Sequence, residues 1–198
     1  MLDNLTRLHP GPLSPAKLAH FVIRTNQLQK TRDWYRSVLN ATIVFENEMC
    51  SFMTYDEEHH RVGVIRLPQL AAADPHAVGV EHIAFTYREL SELLATFARL
   101  RTLDIGPYWS VIHGPTVSIY YKDPNAVKVE LQYDVFRTSD EIAAYFAAGH
   151  HEENFVGITF DPEEMIQRFN RGVPVSDLIR RPPLPAGKTP WDMLPAEP

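Results

Sequence analysis

A duplication constrains the fold of this chain more than any other feature of its sequence. Residues 17–68 and 78–136 carry the same order of predicted elements. The first unit opens with LAHFVIRT (18–25), a strand by its alternation and β-branched content. QLQKTRDWYRSVLN follows, with Leu28, Thr31, Trp34, Tyr35, Val38 and Leu39 at helical spacing. ATIVFE (41–46), CSFMTY (50–55) and RVGVIRL (61–67) read as three short strands. The second unit opens with VEHIAFTY (80–87), continues through the helix RELSELLATFARL (88–100) and ends in YWSVI (108–112), TVSIYY (116–121) and VKVELQY (127–133). Both units read β-α-β-β-β. Their turns correspond as well, Thr54-Tyr55-Asp56 in one and Tyr120-Tyr121-Lys122-Asp123-Pro124 in the other.

A chain of 198 residues holds one domain, or two small modules sharing a core. A formal charge of −6 without a Lys/Arg run argues against nucleic acid and anionic membranes as partners. The single cysteine, Cys50, cannot form an internal disulfide. The first fifteen residues lack the apolar core of a secretion signal, and no apolar run approaches a membrane span, so a cytoplasmic protein is the simplest expectation. Proline concentrates at both ends: Pro10, Pro12 and Pro15 at the start, and six in the last stretch from Arg180. These ends read as extended arms. The segment between body and tail carries two helix signals. SDEIAAYFAAGH (139–150) has a Ser139 N-cap candidate and Gly149 near its end, and DPEEMIQRFNRG (161–172) runs from Asp161-Pro162 to Gly172. The expected division is an arm over 1–16, a body over 17–136 and a C-terminal extension over 137–198 that packs on the core or on a neighbour.

Three polar residues interrupt the apolar strands: His20, His82 and Glu130. Side chains alternate across a strand, so each points away from its aliphatic neighbours. Any one of them alone would ordinarily be a solvated side chain. The two histidines, however, occupy the same place in the two units, 62 residues apart. Two imidazoles and one carboxylate make a facial triad that leaves positions open for substrate and O2, which suits Fe(II) and also admits Zn(II) or Mn(II). Setting Tyr55 against Tyr121 aligns Glu130 with about Val64, where RVGVIRL has no acid, so a fourth ligand is absent.

The duplicated unit resembles the vicinal-oxygen-chelate fold shared by glyoxalase I, bleomycin-resistance proteins and type I extradiol dioxygenases. His113-Gly-Pro-Thr-Val-Ser-Ile-Tyr120-Tyr-Lys-Asp123-Pro124-Asn-Ala-Val-Lys-Val-Glu130 resembles the extradiol signature, with ten residues from Tyr to Glu. The resemblance covers residues 17–136. It implies an α+β fold of two βαβββ modules (17–68 and 78–136) forming a half-barrel, with a helical and Pro-rich C-terminal arm. It further implies that His20, His82 and Glu130 bind Fe(II), with Mn(II) as an alternative. His60 would act as base and then acid toward O2, although His59 beside it competes for that place. Tyr120 and His113 would hold the catechol oxygens. The implied activity is extradiol cleavage of a catecholic molecule by O2, in aromatic hydrocarbon catabolism.

The chain departs from its relatives in three ways. Asn125-Ala126 stands where most relatives carry a Gly after the Asp-Pro turn, His113 is seven residues before Tyr120 where two-domain relatives have nine, and the extra N-terminal pair of modules of larger relatives is missing. The last departure matches small one-domain enzymes of the biphenyl-diol kind. The arm then either covers the pocket or makes a dimer contact, and a homo-oligomer is expected. His9, His76, His150 and His151 have no motif and read as surface residues. Two other functions fit the same fold: a glyoxalase-like isomerase or lyase on Ni(II) or Zn(II), and a non-catalytic small-molecule binder.

Overall fold

The computed structural model describes residues 14–74 and 77–195. The first thirteen residues, with His9, and the position of His76 lie outside them.

The first module contains β1 (Phe21–Thr25), α1 (Leu28–Leu39), β2 (Thr42–Glu46), β3 (Cys50–Thr54) and β4 (Val62–Arg66). Its sheet has the order β1-β4-β3-β2, parallel between β1 and β4 and antiparallel elsewhere. The second module repeats this with β5 (His82–Tyr87), α2 (Leu90–Arg101), β6 (Trp109–Ile112), β7 (Thr116–Lys122) and β8 (Lys128–Asp134). The order there is β5-β8-β7-β6, again with one parallel pair, β5 with β8. The chain is therefore an α+β protein of two βαβββ modules, with a C-terminal extension.

Alternation decides which face of each sheet meets its helix. Ile23, Met53, Val62 and Val64 turn inward under α1, whose buried stripe is Leu28, Thr31, Tyr35 and Val38. Val117, Ile119, Val129 and Leu131 do the same under α2, against Leu90, Leu93, Leu94 and Phe97. The two sets belong to one continuous core. Asn40, in the left-handed conformation that its short polar side chain tolerates, stops α1. Glu92 turns back to accept from the Glu89 N–H at 3.2 Å and starts α2.

The opposite faces of the sheets, turned away from the helices, carry the polar residues. Glu130 pairs with Ala84 across β5 and β8, and the equivalent pair in the first module is Gly63 with Val22. The counterpart of Glu130 is thus Gly63 and not Val64, which is wholly buried in the core. One residue of register separates the two faces of a strand. Gly63, like Val64, carries no carboxylate.

A buried polar network locks the modules together. Thr25 Oγ1 lies 3.0 Å from Thr31 Oγ1 and donates to Asn125 Oδ1 at 2.7 Å, while Asn125 Nδ2 donates to Thr31 Oγ1 at 3.0 Å. Gln27 Nε2 donates to the Pro124 carbonyl at 2.7 Å, and Arg99 donates to the Ser37 carbonyl at the end of α1 at 2.7 Å. The end of β1 therefore lies beside the turn that leads into β8. The start of β1 lies further along β5, where the rings of Phe21 and Phe85 are 5.9 Å apart. Together these contacts make β1 and β5 run in opposite senses.

The extension consists of α3 (Ser139–Ala147), α4 (His150–Glu153), β9 (Ile158–Thr159), α5 (Pro162–Asn170), α6 (Val175–Leu178) and a 3₁₀ turn at Pro190–Met193. The N-cap of α3 is Thr138, in a capping box with Glu141, and Ser139 is the first helical residue. Strand β9 pairs antiparallel with β6 and covers that sheet edge. The extension thus packs on the second module.

Candidate metal centre

His82 opens β5, and its side chain is one-third exposed. Its Nε2 lies 3.0 Å from Glu130 Oε2, on a carboxylate that is only 5% exposed. Two donors about 2.1 Å from one ion and at a right angle to each other stand about 3.0 Å apart, so this pair has the spacing of adjacent metal ligands. His82 Nδ1 faces Glu81 Oε2 at 2.5 Å, and Glu81 in turn accepts from Lys128 Nζ at 2.6 Å. A carboxylate on the second ring nitrogen orients a metal-binding imidazole and raises its basicity. The donor chemistry and spacing of His82 and Glu130 fit a divalent metal.

Tyr120 is the direct cross-strand partner of Glu130. Burial, followed by the Glu130 charge, drives its pKa well above the ordinary phenol range, so the hydroxyl keeps its proton. His113 Nε2 lies 3.0 Å from that hydroxyl, and His113 Nδ1 lies 2.5 Å from the Val156 carbonyl. A carbonyl only accepts, so Nδ1 holds the proton and Nε2 is left as an acceptor. Burial lowers the pKa of His113, partly opposed by the Glu130 charge. Trp109 stacks on Tyr120 at 4.9 Å and donates from Nε1 to the Met193 carbonyl at 2.9 Å.

His20 lies elsewhere. It precedes β1, and its ring packs 4.2 Å from that of His60, which stacks on Phe52 at 4.8 Å. His59 Nδ1 is 2.6 Å from His60 Nδ1. Among the described residues, the one trio of metal-ligating side chains with all donors within 4.8 Å is His20, His59 and His60. Burial, then the neighbouring His20 and His59, lowers the pKa of His60. With Phe21 opposite Phe85, His20 lies about four residues, or about 13 Å, along the strands from His82. Within one chain the structure brings together His82, Glu130, Tyr120 and His113, and separately His20 and His60.

The chain matches the Glyoxalase/Bleomycin resistance protein/Dioxygenase superfamily over residues 17–131. It belongs to that superfamily. It is 41% identical to biphenyl-2,3-diol 1,2-dioxygenase 2 of Rhodococcus globerulus over 160 residues, covering 80% of this chain and 84% of that protein. The identity is also 41% to biphenyl-2,3-diol 1,2-dioxygenase 3 of the same organism, over 167 residues, 83% of this chain and 88% of that one. Among solved structures, a glyoxalase/bleomycin resistance protein/dioxygenase domain from Frankia sp. EAN1pec aligns with a TM-score of 0.52 at 13% identity, over 61% of this chain and 99% of that one. Lactoylglutathione lyase from Agrobacterium tumefaciens aligns at 0.50 and 19%, over 60% and 94%. At these identities the structures speak for the fold alone.

In this superfamily member, several residues around the site had no functional signal in the sequence. Glu81, adjacent to His82, is the one a search for carboxylates beside candidate ligands finds. Arg181 has no local signal, because it stands in the Pro-rich tail. It donates to the carbonyls of His113 at 3.0 Å and Asn154 at 2.8 Å. His150 and His151 are exposed. Among the described residues, no helix is long and apolar enough to cross a membrane.

Proposed function

We propose that the protein is an extradiol ring-cleaving dioxygenase that opens a catecholic substrate with O2 on Fe(II), with Mn(II) as the alternative ion, held by His20, His82 and Glu130. The observation that carries this reading is one polar face on which Glu130, His82, Tyr120 and His113 meet, in the order of the extradiol signature. The 41% identity to two biphenyl-2,3-diol 1,2-dioxygenases over most of the chain supports the same reaction class.

Fe(II) bound there supplies a chelation point for both catechol oxygens and an electron source for O2. The chain supplies proton control and position. Tyr120, held protonated, gives its O–H to His113 Nε2 in this structure and would turn it to a substrate oxygen beside Glu130 when a catechol binds, which frees Nε2. His113, neutral and anchored through Nδ1, accepts at Nε2 and takes a catechol proton as the substrate ionises. Trp109, stacked over Tyr120, keeps that phenol oriented and dry on one side. His60, packed 4.2 Å from the His20 ring, would move a proton to or from oxygen where His20 serves as a ligand. Gly63, at the position equivalent to Glu130 in the first module, offers no fourth carboxylate, which favours an oxygenase over a four-ligand isomerase or lyase.

The test is anaerobic loading with Fe(II), followed by O2 uptake and the yellow ring-opened product across a panel of catechols. His82→Ala is expected to abolish both. Metal bound at full stoichiometry with no catechol consumed would sink the reading.

A further inference from the structure

We propose that Arg181 and Tyr145, both in the C-terminal extension, are positioning residues for His113 and together aim the imidazole that takes the catechol proton. The inference rests on the reading of His113 as that base.

An imidazole is aimed by the backbone that carries it and by the bond its second ring nitrogen makes. The extension holds His113 at both points. Its ring is held through Nδ1, 2.5 Å from the Val156 carbonyl. Its backbone is held through the His113 carbonyl, which accepts from Arg181 Nη1 at 3.0 Å and from the Tyr145 hydroxyl at 3.2 Å. The two donors are joined to each other. Arg181 Nη1 donates to the Tyr145 hydroxyl oxygen at 2.9 Å, and the guanidinium lies 5.7 Å from the centre of the Tyr145 ring.

The same nitrogen reaches the anchor of the ring. Arg181 Nη1 also donates to the Asn154 carbonyl at 2.8 Å. Asn154 is buried, and its side-chain oxygen accepts from the Val156 and Gly157 N–H groups, so it sets where the Val156 carbonyl points. Nη1 therefore stands where the His113 backbone and the loop that grips its ring converge. Strand pairing stops one residue short of this point. The last pair of β6 with β9 is Ile112 with Ile158, and the His113 N–H turns instead to the Thr116 carbonyl at 2.9 Å.

The surrounding residues are shaped for the contact. Gly114 has a φ of +116°, and a Cβ there would overlap the Tyr145 hydroxyl. Arg181 Nη2 is taken up by the His150 carbonyl at 3.0 Å. These partners are carbonyl and phenol oxygens, so the position demands several N–H donors converging near one point. A guanidinium supplies them, and an ammonium supplies three at a single nitrogen. The amide of a glutamine supplies two on a shorter stem.

Arg181→Gln, Arg181→Lys and Tyr145→Phe in the full chain test this, with circular dichroism as the check on fold. Imidazole 15N NMR reads the ring at about pH 8, where an ordinary imidazole is neutral. The protein carries Zn(II) as a diamagnetic stand-in for Fe(II), and His113→Asn assigns the signal. Catechol-dependent O2 uptake of the Fe(II)-loaded protein reads the reaction. Wild type is expected to hold His113 as the Nδ1–H tautomer alone. In Arg181→Gln both tautomers are expected, and kcat falls about tenfold or more with KM within about twofold, because a misaimed base slows proton transfer and leaves chelation intact. Arg181→Lys is expected to restore the single tautomer and most of kcat. Tyr145→Phe is expected to shift the tautomer in the same direction, by less. A folded Arg181→Gln with His113 still wholly Nδ1–H overturns the proposal, as does a raised KM at unchanged kcat. An Arg181→Lys as impaired as Arg181→Gln overturns it too. If Arg181→Gln does not fold, Tyr145→Phe decides, and an unmoved tautomer there overturns the proposal. A tautomer that follows Arg181 in a protein whose wild type consumes no catechol upholds the positioning and sinks ring cleavage alone.

Discussion

Two residues of the Asp123-to-Glu130 segment show how local chemistry sets the site. Asp123 accepts from the Asn125 and Val127 N–H groups at 2.7 and 2.9 Å, and the turn it organises places Ala126 at a φ of 65°. Left-handed backbone costs a Cβ-bearing residue about 1–2 kcal/mol, partly offset in glycine by greater chain entropy. Ala126→Gly is therefore expected to stabilise the protein by roughly 0.5–1 kcal/mol in urea unfolding; a destabilised variant would contradict the strain. His113 makes a second prediction. Its folded pKa lies below the ordinary value because burial disfavours the cation. The unfolded imidazole takes its proton at about 6.5, so the unfolded state binds more protons below that pH. Stability is fully present above about pH 6.5 and declines as the pH falls from there toward the folded pKa. His113→Asn should flatten that limb of the pH–stability curve, and an unchanged slope would remove His113 from the account.

At the scale of elements, β9 shows how a short strand fixes the His113 side chain. The two-residue strand pairs with the edge of β6 and places the Val156 carbonyl on His113 Nδ1. Gly157 makes the approach feasible: its φ is +107°, and a Cβ there would stand 2.4 Å from the Ile112 carbonyl oxygen. Asn154 closes the loop by accepting from the Val156 and Gly157 N–H groups at 3.2 and 2.9 Å. Gly157→Ala is expected to cost roughly 1–3 kcal/mol and to lift β9 from β6. Hydrogen exchange at Phe160, whose N–H donates to the Ser110 carbonyl, should then accelerate while the amides of β7 stay protected. Loss of protection throughout β7 would mean that the extension supports the whole module and not its edge alone. The helices α2 and α5 and the strands of both modules were legible in the sequence, since period and caps are local. The role of β9 was not, because a two-residue strand has no periodicity and draws its partner from β6.

At the scale of the whole molecule, the duplication and the chemistry of each module were legible, and their mutual placement was not. Alternation assigns His20, His82 and Glu130 to the faces turned away from the helices. It carries no information on how one sheet is set against the other. That relation is carried by contacts such as Thr25 with Asn125, one hundred residues apart, and by the ring contact of Phe21 with Phe85. Asn125, a departure from the family pattern, is thus a structural link between modules. It accepts from Thr25, donates to Thr31 and donates to Asp123 at 3.1 Å. Asn125→Ala leaves the Thr31 hydroxyl and a buried carboxylate short of a donor, at an expected cost of about 1–3 kcal/mol. A double-mutant cycle with Thr25→Val separates the link from the turn. Coupling of at least about 0.5 kcal/mol assigns the loss to the junction between modules. Additive losses would confine Asn125 to the Asp123 turn, and the opposed placement of β1 and β5 would then rest on the aromatic contacts of Phe85 and on the Gln27 and Arg99 hydrogen bonds.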